Sequence, residues 1–443
     1  MLPSIVEIYV IWHPDDDLAG AGIAEEFADR FQGSSFTGLM SGAVEVYVRS
    51  AGWQGPSDAP RSIRFPGEDS ADGEAAKLVA IVPVLGMGLA AALERGGDPW
   101  RGYLETVAGR ARKARGCVGV LPVVLDERAM QGTRLGAVLG EFQRLGGTPA
   151  TSPQTPQAQQ TPQPQQPQQP QQAKEPEQPV EVRCRDLIQA IAQLADAGGT
   201  SRVTVFISHT RHAAITDPHG MEQLIELVRS TIGETRLGGF LDANDLQPGC
   251  DWDKQLRDSA GTSALLAVRN EHYASRAWCQ REMLFAKRAG MPVVILDALT
   301  GHEERGSFLM DHVPRVRVER GPDGWSRDGV RRGLNLLVSE HLKRILWRRQ
   351  GQLAQTAAGP DVTWWAPHAP EPATLTHWLK QQRDAGRDLG EGPLRILHPD
   401  PPLGQDERLV LDEVASAGGI QGGLDVMTPQ MLAARGGWPV SAP

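Results

Sequence analysis

The sequence predicts an α/β chain built on parallel sheets, and three observations carry that expectation. Short, almost wholly apolar runs recur along it, with segments of helical spacing between them. A strand that is apolar at nearly every position is covered on both faces, as in a parallel sheet with helices on either side. A Pro/Gln tract in the middle of the chain divides this alternation into two series.

The first series begins with "IVEIYVIW" (5–12), a buried strand. "AGIAEEFADRF" (21–31) follows, with Ile23, Phe27 and Phe31 on one helical face. "AVEVYVRS", "KLVAIVPVL" and "CVGVLPVVL" are further strands. In the second series "RVTVFISH", "LGGFLD", "SALLAV" and "MPVVIL" read as strands. "MEQLIELVRSTI" is a helix with Met221, Leu224, Val228 and Ile232 inward, and "DGVRRGLNLLVSEHLKRILWRRQ" is one with Val330, Leu334, Leu337 and Ile345 inward. The strand spacing is similar in the two series, and a tryptophan (Trp100, Trp278) precedes the last strand of each. They read as diverged copies.

Between them "PQTPQAQQTPQPQQPQQPQQ" (153–172) alternates proline and glutamine with no apolar side chain to bury, which predicts an extended, solvated linker. The expected division is 1–145, a linker at 146–180, 181–350, and a small C-terminal segment at 360–443. In that last segment "LRILHPDPPLG", "DERLVLDEVASAG" and "LDVMTP" read as strand, helix and strand.

Composition narrows the function classes. The 443 residues exceed one core, and 40% hydrophobic with 22% charged residues suits globular domains. A net charge of −9 argues against general binding to nucleic acid or anionic membranes. Four scattered cysteines without a CxxC pair fit a reducing compartment. No run approaches the ~20 apolar residues of a membrane span, and the N-terminal apolar run meets Asp15, Asp16 and Asp17 without a basic flank, unlike a signal peptide. A cytoplasmic protein is expected.

Four blocks carry the chemistry. "VTVFISHTR" is a strand ending in a small polar and a basic residue. "FLDANDLQPGCDW" is a strand running into an acidic Pro-Gly loop. "ALLAVRNEHYASRAWCQREM" joins a strand, a loop with Tyr273 and Ser275, and a helix with Trp278, Cys279 and Glu282. "MPVVILDAL" is a buried strand. Trp278 and Glu282 are four apart and share a helical face. In this order the blocks resemble a Toll/interleukin-1 receptor (TIR) domain over 200–345, which implies a flavodoxin-like sheet.

The resemblance implies that Glu282 is the catalytic carboxylate of an NAD+ nucleosidase. NAD+ is then substrate, and no cofactor or metal is expected. It also implies that Ser208, Arg211, Asp242, Trp252 and Trp278 line the nucleotide site, with Arg211 beside the pyrophosphate, Trp252 stacking on a ring and Trp278 walling the pocket. Self-association through the loop around Pro248, Gly249 and Trp252, and a role in bacterial antiviral defence by NAD depletion, are further implications. Two other readings stay open: a non-catalytic TIR adaptor, and a cyclase making a cyclic ADP-ribose signal. His209 and Thr210 stand where the family often has basic residues. Cys279 reads as a small core residue.

"IWHPDDDLAGAG" (11–22) resembles the metal motif of zinc-dependent N-deacetylases, with His13 and Asp16 as ligands and Asp15 as base. Its third acid is Asp17 rather than glutamate, and no second histidine occurs before His209. The expected role is instead that of acids at a helix N-terminus. Lacking a Trp-Cys-x-x-Glu block, the first unit reads as a degenerate, non-catalytic TIR-like partner. "LKRILWRRQ" (342–350) reads as a basic helix C-terminus.

Overall fold

The computed structural model describes residues 4–33, 36, 43–52, 55, 58–70, 73–74, 76–114, 116–146, 179–196, 202–210, 219–238, 240–242, 263–303, 305–356, 362–389 and 392–436. The Pro/Gln tract, Arg211 and Trp252 lie outside them. The fold is α/β. Its described residues form three parallel sheets and two short antiparallel ribbons.

The first sheet contains β1 (Val6–Ile11), β2 (Val44–Arg49), β3 (Leu78–Leu85), β4 (Val118–Val120) and β5 (Val123–Val124). Its order is β2-β1-β3-β4, with β5 beside the end of β3. In register, Val6 faces Val44 on one side and Leu78 on the other. All six residues of β1 are buried because helices cover both its faces. Ile8 and Val10 meet α1 (Asp17–Gln32) through Ile23, Phe27 and Phe31. Tyr9 and Ile11 meet α2 (Met87–Glu94), α3 (Pro99–Lys113) and α4 (Arg134–Leu139) through Leu89, Trp100, Leu104 and Leu135.

Helix α5 (Pro179–Ala195) follows the linker and packs against α1, β3 and β4 on one side. On its other side lies the long helix Arg327–Thr356. Leu187, Ile188 and Ile191 are wholly buried, each stabilising the fold by about 1.5–3 kcal/mol. Polar anchors fix its register. Arg183 makes a bidentate ion pair with Glu26 of α1 (Nη2 to Oε1 2.6 Å, Nε to Oε2 3.1 Å). Asp186, 2% exposed, accepts from Gly146 N (3.1 Å) and pairs with Arg236 (3.1 Å).

The second sheet contains β6 (Thr204–His209), β7 (Phe240–Asp242), β8 (Ser263–Arg269), β9 (Val293–Asp297) and β10 (Arg315–Arg317). The order β7-β6-β8-β9-β10 is the 2-1-3-4-5 arrangement of flavodoxin-like sheets. Helix α6 (Gly220–Gly233) buries Met221, Leu224, Val228 and Ile232 on one face of the sheet, and α7 (Ala277–Arg288) packs on the other. Helix α8 (Arg327–Thr356) shares the α6 face and buries Val330, Leu334, Leu337 and Ile345. The basic stretch 342–350 is therefore mid-helix rather than a C-terminus. Apolar spacing continues through Leu346, Trp347 and Ala354, so the helix runs on to cover the next element.

That element is larger than strand, helix, strand. β11 (Trp364–Trp365), β12 (Leu394–Leu397) and β13 (Leu424–Met427) form a parallel sheet in sequence order. Helices α9 (Pro372–Asp384), α10 (Gln405–Ala417) and α11 (Pro429–Ala434) connect or follow them. The sequence reading missed β11 because two tryptophans carry no periodicity. The element packs back on α8: the Trp347 ring stacks on Trp365 at 4.6 Å, and Trp347 Nε1 donates to Ala366 O (2.7 Å). No helix among the described residues is long and apolar enough to cross a membrane.

Two expectations follow. A protease site placed within 153–172 and then cleaved should leave fragments that co-elute on size exclusion in dilute buffer, because α5 ties both sheets together. Separate elution would show that α5 does not join them. Two histidines report on acid stability. His341 on α8 is 4% exposed and His398 after β12 is 1% exposed, and burial holds each down to about 4. The unfolded chain, with histidine near ~6.5, takes protons first as pH falls. The two histidines' contribution to stability is constant above about pH 6.5 and is lost from there down towards about pH 4. The thermal midpoint should drop across that window, and more shallowly in His341→Leu. Equal slopes would refute the assignment.

Candidate functional site

In an open α/β sheet, ligands bind beyond the carboxyl ends of the strands, where the chain's crossovers diverge. The second sheet has that point between β6, which crosses through α6 to one face, and β8, which crosses through α7 to the other. Ser208 sits near the carboxyl end of β6, paired in register with Ala267 of β8. Alternation along β6 sends Val205 and Ile207 towards α6 and α8, and Phe206 and Ser208 towards α7.

Helix α7 presents a buried stripe of Cys279, Glu282, Met283 and Ala286 to that face. Glu282 lies between apolar residues of this stripe, with Lys287 buried at its far end, and is 1% exposed. A carboxylate in such surroundings must be hydrogen-bonded to persist. Ser208 Oγ donates to Glu282 Oε2 in a short contact, and Tyr273 OH lies 2.7 Å from Ser208 Oγ. Ser208 and Tyr273 are each 1% exposed. Tyr273 is held by the turn ahead of α7, with Tyr273 N donating to Asn270 O (3.1 Å). Burial drives the Tyr273 phenol far above its ordinary range. Burial, then the charge of Glu282, pushes the Cys279 thiol up to about 12. Cys279, 2% exposed, is therefore a core residue and no nucleophile.

The structure brings together Glu282 and Ser208 of the expected set and adds Tyr273. A hydroxyl's reach across the sheet leaves no trace in the sequence, although the residue stood within a recognisable block. Asp242 ends β7 and pairs through its backbone with Ile207, one residue from Ser208. Its side chain, Arg211 and Trp252 lie outside the described residues. Trp278 is 44% exposed, with the Arg281 guanidinium 5.9 Å from its ring. At 100° per residue it lies at the edge of the buried stripe centred on Cys279, Met283 and Ala286, which leaves its ring half-exposed. The far end of α7 is clamped. Lys287 Nζ donates to Asp311 O and to Glu371 Oε2 of the C-terminal element (2.7 Å each).

The first sheet has the equivalent point between β1 and β3, and there the "HPDDD" residues are spent on structure. Asp16 accepts from Gly88 N (3.1 Å) and Leu89 N (2.9 Å), capping α2 from across the crevice. A side chain on Gly86 would collide with the Asp16 carboxylate. His13 Nδ1 accepts from Asp15 N (3.1 Å), its ring lies 5.2 Å from Trp100, and Asp17 accepts from Trp12 Nε1 (2.8 Å). Asp16 occupies the helix N-terminus that a phosphate would otherwise take. Four residues after Trp100 stands Leu104, wholly buried, where the second unit has Glu282 four after Trp278.

No protein-family model matches the sequence, and no characterised protein matches it. Among solved structures, 22% of the chain is similar to the TIR domains of the activated Roq1 resistosome recognising the pathogen effector XopQ, at 17% identity and TM-score 0.18. The match spans 58% of that chain. A candidate transcriptional regulator from Clostridium difficile 630 is similar over 96% of this chain and 80% of its own, at 9% identity and TM-score 0.17. Both likenesses are too slight to identify a fold or a function.

Asp16→Ala should lower stability by about 1–2 kcal/mol, since it removes both the cap and the favourable charge at the N-terminus of α2. Asp16→Asn should lose less. Denaturant midpoints for the three proteins check this, and an unaltered midpoint in Asp16→Ala would show that the cap contributes nothing.

Proposed function

We propose that the chain is a TIR-type NAD+ nucleosidase with Glu282 as its catalytic carboxylate. The observation that supports it is the placement of a buried, hydrogen-bonded carboxylate at the switch point of a 2-1-3-4-5 sheet, in a chain whose sequence carries the four TIR-like blocks. The chemistry needs little else. In NAD+ the C1′–N bond joins ribose to a cationic nicotinamide. When it breaks, the electron pair leaves with the ring, which departs neutral without a general acid. Positive charge develops on C1′ and the ring oxygen, as in glycoside hydrolysis. Glu282 offsets that charge from a low-dielectric position. Water then adds to C1′ and releases one proton, giving nicotinamide and ADP-ribose. Closure by a ribose hydroxyl instead of water gives the cyclic product from the same site. Self-association as the trigger, and NAD depletion in antiviral defence as the outcome, belong to this proposal on the sequence resemblance alone.

The near-complete burial of Glu282 favours a second reading, in which it anchors α7 in a non-catalytic scaffold. Incubating the purified protein with NAD+ and chromatographing the products separates the two. Glu282→Gln keeps the shape and the bond from Ser208 but not the charge. It should unfold at a similar temperature yet lose on the order of 10²-fold or more in turnover. Equal turnover in folded wild type and Glu282→Gln would exclude the enzymatic reading of this site, and no NAD+ loss under any assembly condition would favour the scaffold.

A further inference from the structure

We propose that Tyr273 is a positioning residue for Glu282: acting through Ser208, its hydroxyl fixes the direction of the carboxylate and favours its ionised form. The proposal rests on the nucleosidase reading for its kinetic consequence, but not for its geometry.

The hydrogen-bond polarity follows from counting protons. Ionised Glu282 only accepts, so the single proton of Ser208 goes to Glu282 Oε2. The 2.7 Å contact between Tyr273 OH and Ser208 Oγ then has one polarity left, with Tyr273 donating. The result is a one-way chain from phenol to hydroxyl to carboxylate. All three residues are 1% exposed. In a low-dielectric setting each bond strengthens the next, and loss of the terminal donor weakens the whole chain. Tyr273 itself cannot swing away, because its ring is packed with Phe206, Cys279 and Met283 in the α7 face of the core.

Arg276, at the start of α7, is a charged residue whose field reaches this cluster, acting on Cys279 against the effect of Glu282. Cys279, on the same helix, stays protonated to about pH 12. His209 follows Ser208 on β6 and alternates to the opposite side of the strand. Arg269, at the end of β8, pairs with Glu303 (3.0 Å). Lys287 and Glu371 neutralise each other at the far end of α7. The hydroxyl chain meets the carboxylate directly, through Ser208 Oγ.

The test reads Glu282 itself, so it does not depend on enzymatic activity. Protein labelled with 13C at glutamate carboxyls is titrated by NMR, with Glu282→Gln identifying the Glu282 signal. Tyr273→Phe removes one oxygen and should raise the Glu282 midpoint by about one pH unit or more. In Ser208→Ala the midpoint should also rise, and adding Tyr273→Phe to Ser208→Ala should produce no further change, since the chain is already cut. Fluorotyrosine at Tyr273, a stronger donor in an unaltered ring, should move the midpoint down. Where turnover is present, Tyr273→Phe should reduce kcat about tenfold with KM little altered, because Tyr273 does not touch substrate. An unmoved Glu282 midpoint in folded Tyr273→Phe, or with fluorotyrosine, overturns the proposal. So does an additive further shift in the double variant. Normal midpoint shifts in a protein that never consumes NAD+ would leave the hydroxyl chain standing and remove only the nucleosidase reading.

Discussion

The burial of α5 between two sheets is the constraint on which the rest of the chain depends. Its apolar residues complete the helix layer against β1, β3 and β4, and the same helix lies against α8 beneath the second sheet. A helix apolar on several sides has no stable place in water, so neither sheet is fully covered without the other. The polar residues on α5 do not relieve this burial but direct it. Asp186 takes the Gly146 amide from the end of the first unit and the Arg236 guanidinium from the second. Arg185 donates to Asn335 of α8 (3.1 Å), whose amide donates to Glu181 (3.0 Å). Arg30 of α1 reaches Ser339 of α8 directly (2.7 Å). Each of these groups would be costly to bury alone, so they specify one mutual arrangement of the two sheets.

Within that frame, two crevices of the same topology have opposite fates. In both sheets the central strand is followed by a crossover to one face, and its neighbour by a crossover to the other. The first crevice is filled from inside: Asp16 bridges it to cap α2, and the helix position that could face it carries Leu104. The second keeps a carboxylate on that helix, together with a hydroxyl chain that makes the carboxylate tolerable. A buried carboxylate with too few donors would take up a proton, and a protonated Glu282 could not stabilise a cationic ribose. In the proposed nucleosidase, Ser208 and Tyr273 would matter to the chemistry for that reason.

The C-terminal element bears on the same helix. Lys287 lies five residues after Glu282 and is 6% exposed, paired with Glu371 at 8%. Such a pair adds little net stability, because the Coulombic gain is offset by desolvation. Breaking it by removing one partner would strand a buried charge, which makes it a strict geometric constraint on how α7 meets α9. Together with the stacked Trp347 and Trp365, it fixes α7 and α8 at one end while Ser208 fixes α7 at the other.

What the sequence determined by itself was whatever rests on local periodicity and on residue type. The inner faces of α1, α6 and α8 and the buried strands follow from apolar spacing, because burial of one stripe is a local demand that any tertiary partner must satisfy. Glu282 stood out for the same reason in reverse, as a charge within an apolar stripe. What only the tertiary structure decided depends on groups far apart in the chain. The Tyr273–Ser208–Glu282 chain spans two crossovers, Asp16 caps a helix more than seventy residues away, and α8 extends through its basic stretch because Trp347 has Ala366 and Trp365 to pack on. Trp278 shows the limit of periodicity: helical spacing puts it one turn from Glu282, but which part of that face the sheet covers, and hence that Cys279 beside it is buried while Trp278 is not, is set by the tertiary packing.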